Sequence, residues 1–206
     1  MRNKDAPFIL EEIMLERYEH RTDILNCIGM RMNYMIAHHC KVFFVRFDAR
    51  FPEGFLHHGG NREMSQLMKT LKEFYAYQGV GMHYIWVREQ VSSPVPHYHV
   101  VLLVNGSLIQ NATGIWNKAE EVWSRITGGP SGLIHHGWPT RQGLSGIGGI
   151  MIRRPSSKAT GQPLILQQQE FNTAWAEAVE WVSYLAKTYS KGNAPHRVRE
   201  YGASQL

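Results

Sequence analysis

The chain is poor in the residues that mark secreted or membrane proteins. Only two of its 206 residues are cysteine, Cys27 and Cys40. That is too few for a disulfide framework, and a reducing cytoplasm is the simplest setting. No apolar run approaches the roughly 20 residues of a membrane span. The opening Met1-Arg2-Asn3-Lys4-Asp5-Ala6-Pro7 is not followed by an apolar stretch of signal-peptide type. Nucleotide-binding motifs are missing as well. The glycine-rich stretch, Gly128-Gly129-Pro130-Ser131-Gly132 and then Gly143, Gly146, Gly148 and Gly149, lacks dinucleotide spacing and has no Gly-Lys-Ser/Thr loop, which argues against a nucleotide cofactor there. Acidic residues are outnumbered, 17 against 22 Lys and Arg, and the net charge of +5 favours a polyanionic partner.

What is present points to one globular domain. The hydrophobic fraction is 43%, with six Trp, enough to bury a core at this length. Apolar residues at spacings of three and four predict a helix over 8–39, split near His20-Arg21-Thr22-Asp23, where Thr22 or Asp23 would cap its second half. Val42 to Arg50 reads as a strand with Val42, Phe44, Arg46 and Asp48 on one face. A loop follows, in which His57-His58 would face solvent. Met64, Leu67, Met68, Leu71, Phe74 and Tyr75 form a helical stripe, and Ile115, Trp116, Ala119, Val122, Trp123 and Ile126 form another. Leu133 to His136 and Ile147 to Ile152 are short strand candidates. A basic loop carrying Arg153, Arg154 and Lys158 runs on to Pro163, and a last helix is predicted from Gln167 to Lys191.

The chemistry concentrates in two places. Pro96-His97-Tyr98-His99 leads into Val100-Val101-Leu102-Leu103-Val104-Asn105, a β-branched run ending in a turn signal. Alternate side chains of a strand share a face, so His97 and His99 point the same way, about 6.5–7 Å apart. Met82 to Glu89 reads as the preceding strand, and an antiparallel hairpin brings Glu89 beside the two histidines. His83 has the same parity but lies about 20 Å away along the strand. Two His and one carboxylate leave coordination positions open and suit Mg²⁺ or Mn²⁺. The alternative is a pair of buried, hydrogen-bonded histidines. The second place is Tyr184 on the last predicted helix, with Lys187 three residues on and Lys191 seven residues on, all close to one face. Positive charge favours the phenolate, the attacking form of a tyrosine.

Taken together, these elements resemble the HUH endonuclease superfamily, and more closely its inovirus-type replication initiators. The likeness rests on Val45-Arg46-Phe47-Asp48, on Trp86-Val87-Arg88-Glu89 with His97-Tyr98-His99, on Tyr184-Leu185-Ala186-Lys187 and on the tail Tyr201-Gly202-Ala203-Ser204. The resemblance implies an α+β fold, a ferredoxin-like antiparallel sheet of about five strands with packed helices. Its nuclease core would span 40–192, between a helical extension (1–39) and a tail (193–206). It further implies a one-tyrosine, metal-dependent nuclease that opens and rejoins single-stranded DNA at a phage, prophage or plasmid origin. Glu89, His97 and His99 would hold Mg²⁺ or Mn²⁺, Tyr184 would attack and Lys187 would assist. Arg46, Asp48, Arg153, Arg154, Lys158 and Lys191 would contact DNA, and host helicase and polymerase would be partners. Tyr189, five residues past Tyr184, does not fit the one-turn spacing of two-tyrosine relatives. Two rival readings are a DNA-binding relative without catalysis and a metal-dependent hydrolase of small phosphoesters.

Overall fold

The strand Lys41–Ala49 (β1) holds the molecule together, because it pairs along both edges. The computed structural model describes residues 19–90, 93–137, 147–188 and 192–206. After β1 come helix α2 (Arg62–Tyr77), strands β2 (Met82–Glu89) and β3 (His97–Asn105), helix α3 (Thr113–Thr127) and strand β4 (Ile134–His136). This βαββαβ order, with β4-β1-β3-β2 across the sheet and every pairing antiparallel, is the ferredoxin-like arrangement. Helix α1 (Thr22–His38) precedes it. Strand β5 (Ile150–Arg153), helix α4 (Gly161–Ser183) and strand β6 (Tyr201–Ala203) follow it.

Among the described residues the sheet has six strands instead of about five, two more than the four of the βαββαβ core. One addition arises because β4 and β5 share the outer edge of β1, covering its residues 47–49 and 41–44 in turn. The other is β6, which comes from the tail and pairs with Ile85, Trp86 and Val87 of β2. Helices cover both faces. Strand alternation sends Phe43, Val45, Phe47, Tyr98, Val100 and Leu102 toward the stripes of α2 and α3. Val42, Phe44, Ile85, Val87, Val101 and Leu103 pack instead against α1 and α4. With both faces covered, β3 is buried from Tyr98 to Val104, which explains its unbroken apolar run. A slip of one residue would exchange the two cores, so the register is tightly specified. Gly128, at φ 67°, ends α3 in the left-handed conformation that glycine adopts without strain.

Several sequence expectations are corrected. Among the described residues the first helix begins at Thr22, with Arg21 at its N-cap, so neither Thr22 nor Asp23 caps it; residues 8–18 of the expected helix lie outside the described residues. His57 is not solvent-facing: its side chain is only 4% exposed, and Nδ1 accepts the Gly59 amide at 3.0 Å. Strand β5 starts at Ile150, not at Ile147. The last helix starts earlier than Gln167 because Pro163 sits in its first turn, where a missing N–H costs no helical hydrogen bond. It also ends well before Lys191. After Ser183 the chain tightens into a 3₁₀ turn, Tyr184–Ala186, and Lys187 then becomes extended and bridges His20. The Arg21 amide donates to the Ala186 carbonyl and the Thr188 amide to Glu19. These partners take up backbone groups that a longer helix would have satisfied itself. No helix among the described residues is long and apolar enough to cross a membrane.

Candidate metal centre and tyrosine

The sheet register assembles the site. Glu89 lies opposite His97, Val87 opposite His99, and Asp48 opposite His99 on the other side of β3. Alternation then puts Asp48, His97, His99 and Glu89 on the α1/α4 face, at one end of three neighbouring strands. One ligand atom from each of Glu89, His97 and His99 lies within 4.8 Å of the others. Glu89 Oε2 is 3.4 Å from His97 Nε2 and 3.1 Å from His99 Nε2. Glu89 and His99 are buried, whereas the His97 side chain is 33% exposed. The cluster therefore opens to solvent on the His97 side.

The surroundings of His99 favour metal ligation. Its Nδ1 lies 2.5 Å from Asp48 Oδ1. A carboxylate is an acceptor only, so this contact puts the proton on Nδ1 and leaves a lone pair on Nε2. Asp48 is the kind of outer partner that fixes the tautomer and orientation of a ligating imidazole. His99 Nε2 is buried without a hydrogen-bond partner, although Glu89 stands 3.1 Å away. The short distance and the absence of a bond are consistent: two acceptors face each other, and a cation between them satisfies the His99 lone pair. Burial by itself would raise the Asp48 carboxyl. The hydrogen bond from His99, helped by the nearby Arg46 guanidinium, outweighs this and holds it below the ordinary range. Burial lowers the Arg46 guanidinium, opposed first by Asp48. Arg46 Nη2 lies 3.7 Å from Asp48 Oδ1 and 3.3 Å from His99 Nδ1. An N₂O donor set with an open side is of the kind that holds a divalent cation.

The 3₁₀ turn brings Tyr184 to this cluster. Its ring stands edge-on to His99, with centroids 6.0 Å apart, and the residue is 37% exposed. Lys187 is buried, with Nζ 3.5 Å above the Tyr184 ring centroid. The Arg46 guanidinium lies 5.1 Å from the same centroid. Two cations packed against the Tyr184 ring hold it by charge–quadrupole attraction. Lys187 thus meets the tyrosine over its ring, not as a neighbour along a helix face.

Other expected residues are placed differently. Arg46 and Asp48, expected at DNA, adjoin the metal-ligand cluster, with Arg46 buried and the Asp48 side chain 23% exposed. Asp48's partnership with His99 was missed, although its parity with Arg46 on a strand flanking the His-x-His strand was the available signal. Arg153 pairs with Lys41 at the opposite end of β1 from Asp48, about 23 Å along the strand. Arg154 donates to the carbonyls of Ile36 and Ala37 at the end of α1, where a cation meets the negative end of the helix dipole. Lys158 is exposed in the loop beyond them. Tyr189 and Lys191 lie outside the described residues, and the helical spacing that grouped Lys191 with Tyr184 does not hold once α4 ends at Ser183.

Comparison with known proteins adds one relationship. Neither the curated proteins nor the solved structures contain a match to the chain. The sequence profile of the YagK/YfjJ C-terminal domain matches residues 4–204, nearly the whole chain. The match takes in every strand that carries the cluster, the turn that carries Tyr184 and the tail that forms β6. The chain belongs to the YagK/YfjJ C-terminal domain family.

Proposed function

We propose that this protein nicks and rejoins single-stranded DNA through a 5′-phosphotyrosine intermediate, and so initiates rolling-circle replication of a phage, prophage or plasmid. One observation carries the reading: Tyr184, nearly ninety positions along the chain from His97 and His99, folds back to lie against His99 beside an N₂O cluster. Glu89, His97 and His99 would hold Mg²⁺ or Mn²⁺. When bound, such an ion polarises the scissile phosphate and offsets the charge that develops on it. Asp48 keeps His99 in the tautomer whose Nε2 faces the cluster. Lys187 and Arg46 set the Tyr184 ring and supply positive charge beside it.

In the forward step the Tyr184 oxygen bonds to phosphorus and the bond from phosphorus to the 3′-oxygen breaks. The phenol gives up one proton and the departing 3′-oxygen gains one, so no co-reactant is consumed. The free 3′-OH can be extended by a polymerase once a helicase has opened the duplex. Attack by a 3′-OH on the phosphotyrosine reverses the step and rejoins the strand.

The test is incubation of the chain and Mn²⁺ with labelled single strands that tile the replicon carrying its gene, followed by denaturing electrophoresis. A labelled band that migrates with the protein and disappears with chelator supports the proposal. DNA binding without such a band identifies a non-catalytic relative. Turnover of a small phosphoester without a band identifies a hydrolase.

A further inference from the structure

The tail borders a basic cavity that the metal centre does not use. It has a volume of about 650 Å³, within the range of ligand pockets, and lies between α1 and the chain from Gly192 to Ala203. Arg21, Arg31, Arg197 and Arg199 line it, and Glu200 is the one carboxylate among the described residues of its wall. Tyr201, also in the wall, packs with the core on the α1/α4 side of the sheet, the side that carries the cluster. The Arg21 amide donates to the Ala186 carbonyl at 2.7 Å, at the end of the turn that starts with Tyr184.

The cavity keeps an excess of positive charge. Both oxygens of Glu200 are committed: Oε2 accepts from Arg21 at 2.7 Å, and Oε1 accepts the Gly192 amide. Arg21 is paired with Asp23 as well. Arg31 donates to the carbonyls of Cys27 and Ser204, which carry no charge. Arg197 and Arg199 are exposed, and among the described residues neither has a carboxylate partner. The same bonds hold the loop in place. Glu200 ties its two ends together, the Asn61 side-chain amide donates to the Arg199 carbonyl at 2.9 Å, and the Arg88 amide donates to the Glu200 carbonyl at 2.7 Å.

Arg197 stands where the backbone favours a different residue. The Val198 amide donates to the Pro195 carbonyl at 2.9 Å, closing a tight turn with His196 and Arg197 at its centre. Arg197 has φ 64° and is the one non-glycine residue with positive φ among the described residues. Glycine or asparagine ordinarily fills that place in a turn, because an L side chain there crowds the backbone. Strain of this kind gathers at ligand-binding sites.

Resting on the nuclease reading above, we propose that this cavity binds backbone phosphates of the same single strand that is cut at the cluster, with Arg197 as the leading contact. A guanidinium presents its N–H donors as a planar fork that matches phosphate oxygens. Glu200 is spent on Arg21 and Gly192, so the charges of Arg197 and Arg199 are left for the strand.

The test uses the full chain in chelator, where the nuclease reading allows binding without cleavage, and a fluorescein-labelled single strand of mixed sequence. Anisotropy is titrated at increasing salt. Each phosphate contact on a single strand contributes about 0.7 to the slope of log K against log salt. Arg197→Gly should reduce that slope by about 0.7. It should also leave the urea unfolding midpoint at or above the parent's, since glycine holds φ near 64° without strain. Arg197→Lys keeps the charge and should keep the parent slope, whereas Arg197→Gly combined with Arg199→Ala should reduce it by about 1.4. Lys69→Ala, on α2 and the opposite face, should leave it unchanged. A double variant with the parent slope overturns the proposal, and a labelled adduct formed by the parent with Mn²⁺ then leaves the nuclease reading standing. Loss of slope without any adduct from the parent supports the cavity as a strand-binding site and removes the nuclease reading. Failure of the parent to bind single strands overturns both.

Discussion

Glu89 Oε2 and His99 Nε2 lie 3.1 Å apart, and no hydrogen bond joins them. Because His99 Nδ1 donates its hydrogen to Asp48 Oδ1, the facing atoms are both acceptors, and the buried His99 Nε2 lone pair is satisfied when a cation sits beside it. Mn²⁺ should therefore raise the thermal midpoint of the parent above its value in chelator. At a hundredfold excess over the dissociation constant the gain is about 2.7 kcal/mol. Glu89→Gln, His97→Ala and His99→Ala should each shrink the increment. A midpoint that ignores Mn²⁺ would sink the metal assignment.

Asp48→Ala leaves every direct ligand in place but removes the group that orients His99. Loss of such a partner commonly weakens metal binding by about 10–100-fold. Titration of Mn²⁺ against the thermal midpoint measures it. Affinity equal to the parent's would mean that Asp48 serves only the contact with Arg46.

Tyr184→Phe keeps the aromatic ring, and with it the contacts to Lys187, Arg46 and His99. The variant should fold, bind DNA and form no covalent adduct. Lys187→Met preserves the length of a side chain that is 2% exposed and removes its charge, so cleavage should slow without vanishing. An adduct that survives Tyr184→Phe would relocate the nucleophile. Tyr189→Phe in the same assay shows whether that residue is the alternative.

Gly202→Ala tests whether the tail is part of the fold. A Cβ at this position would meet the Trp86 ring at 2.5 Å, and Trp86 is itself buried. The misfit should destabilise the chain by about 1–3 kcal/mol in urea unfolding. It should also expose the Ser204 amide, bonded to the Tyr84 carbonyl at 3.1 Å, to faster hydrogen exchange. Unchanged protection at Ser204 would show that β6 absorbs the methyl group.

Three histidines make the fold sensitive to mild acid. Burial lowers His39, His57 and His83, aided by Arg88 at His57 and by Lys72 at His83. Their unfolded counterparts bind protons at a higher pH, near about 6.5. The stabilisation is thus complete above that pH and is lost as pH falls toward the folded values. The thermal midpoint should drop between neutrality and pH about 5, before most carboxylates titrate. His57→Asn, which keeps an acceptor for the Gly59 amide, should flatten the slope. A midpoint that rises over this interval would contradict the assignment.

Local pattern was enough to read the parts of this protein built from contiguous residues. The alternation of His97 and His99, the hairpin that carries Glu89, and the stripes of α2 and α3 follow from periods of 2 and 3.6 residues, and the structure contains each of them. The α+β class with an antiparallel sheet followed from the same periods and from the resemblance those motifs carried. Several features depended on contacts between distant segments. The helix leading to Tyr184 stops at Ser183, where residues before α1 bridge Lys187. The bond from Asp48 to His99 exists because β1 lies beside β3 in one register. Arg154 is drawn to the end of α1, and the tail is drafted into the sheet as β6. Periodicity reports which face a side chain occupies, whereas partners far apart in sequence are chosen by strand order and register. The members of the Glu89–His97–His99 cluster could be named from the sequence; the carboxylate that orients His99 and the turn that sets Tyr184 against it could be found only in the folded chain.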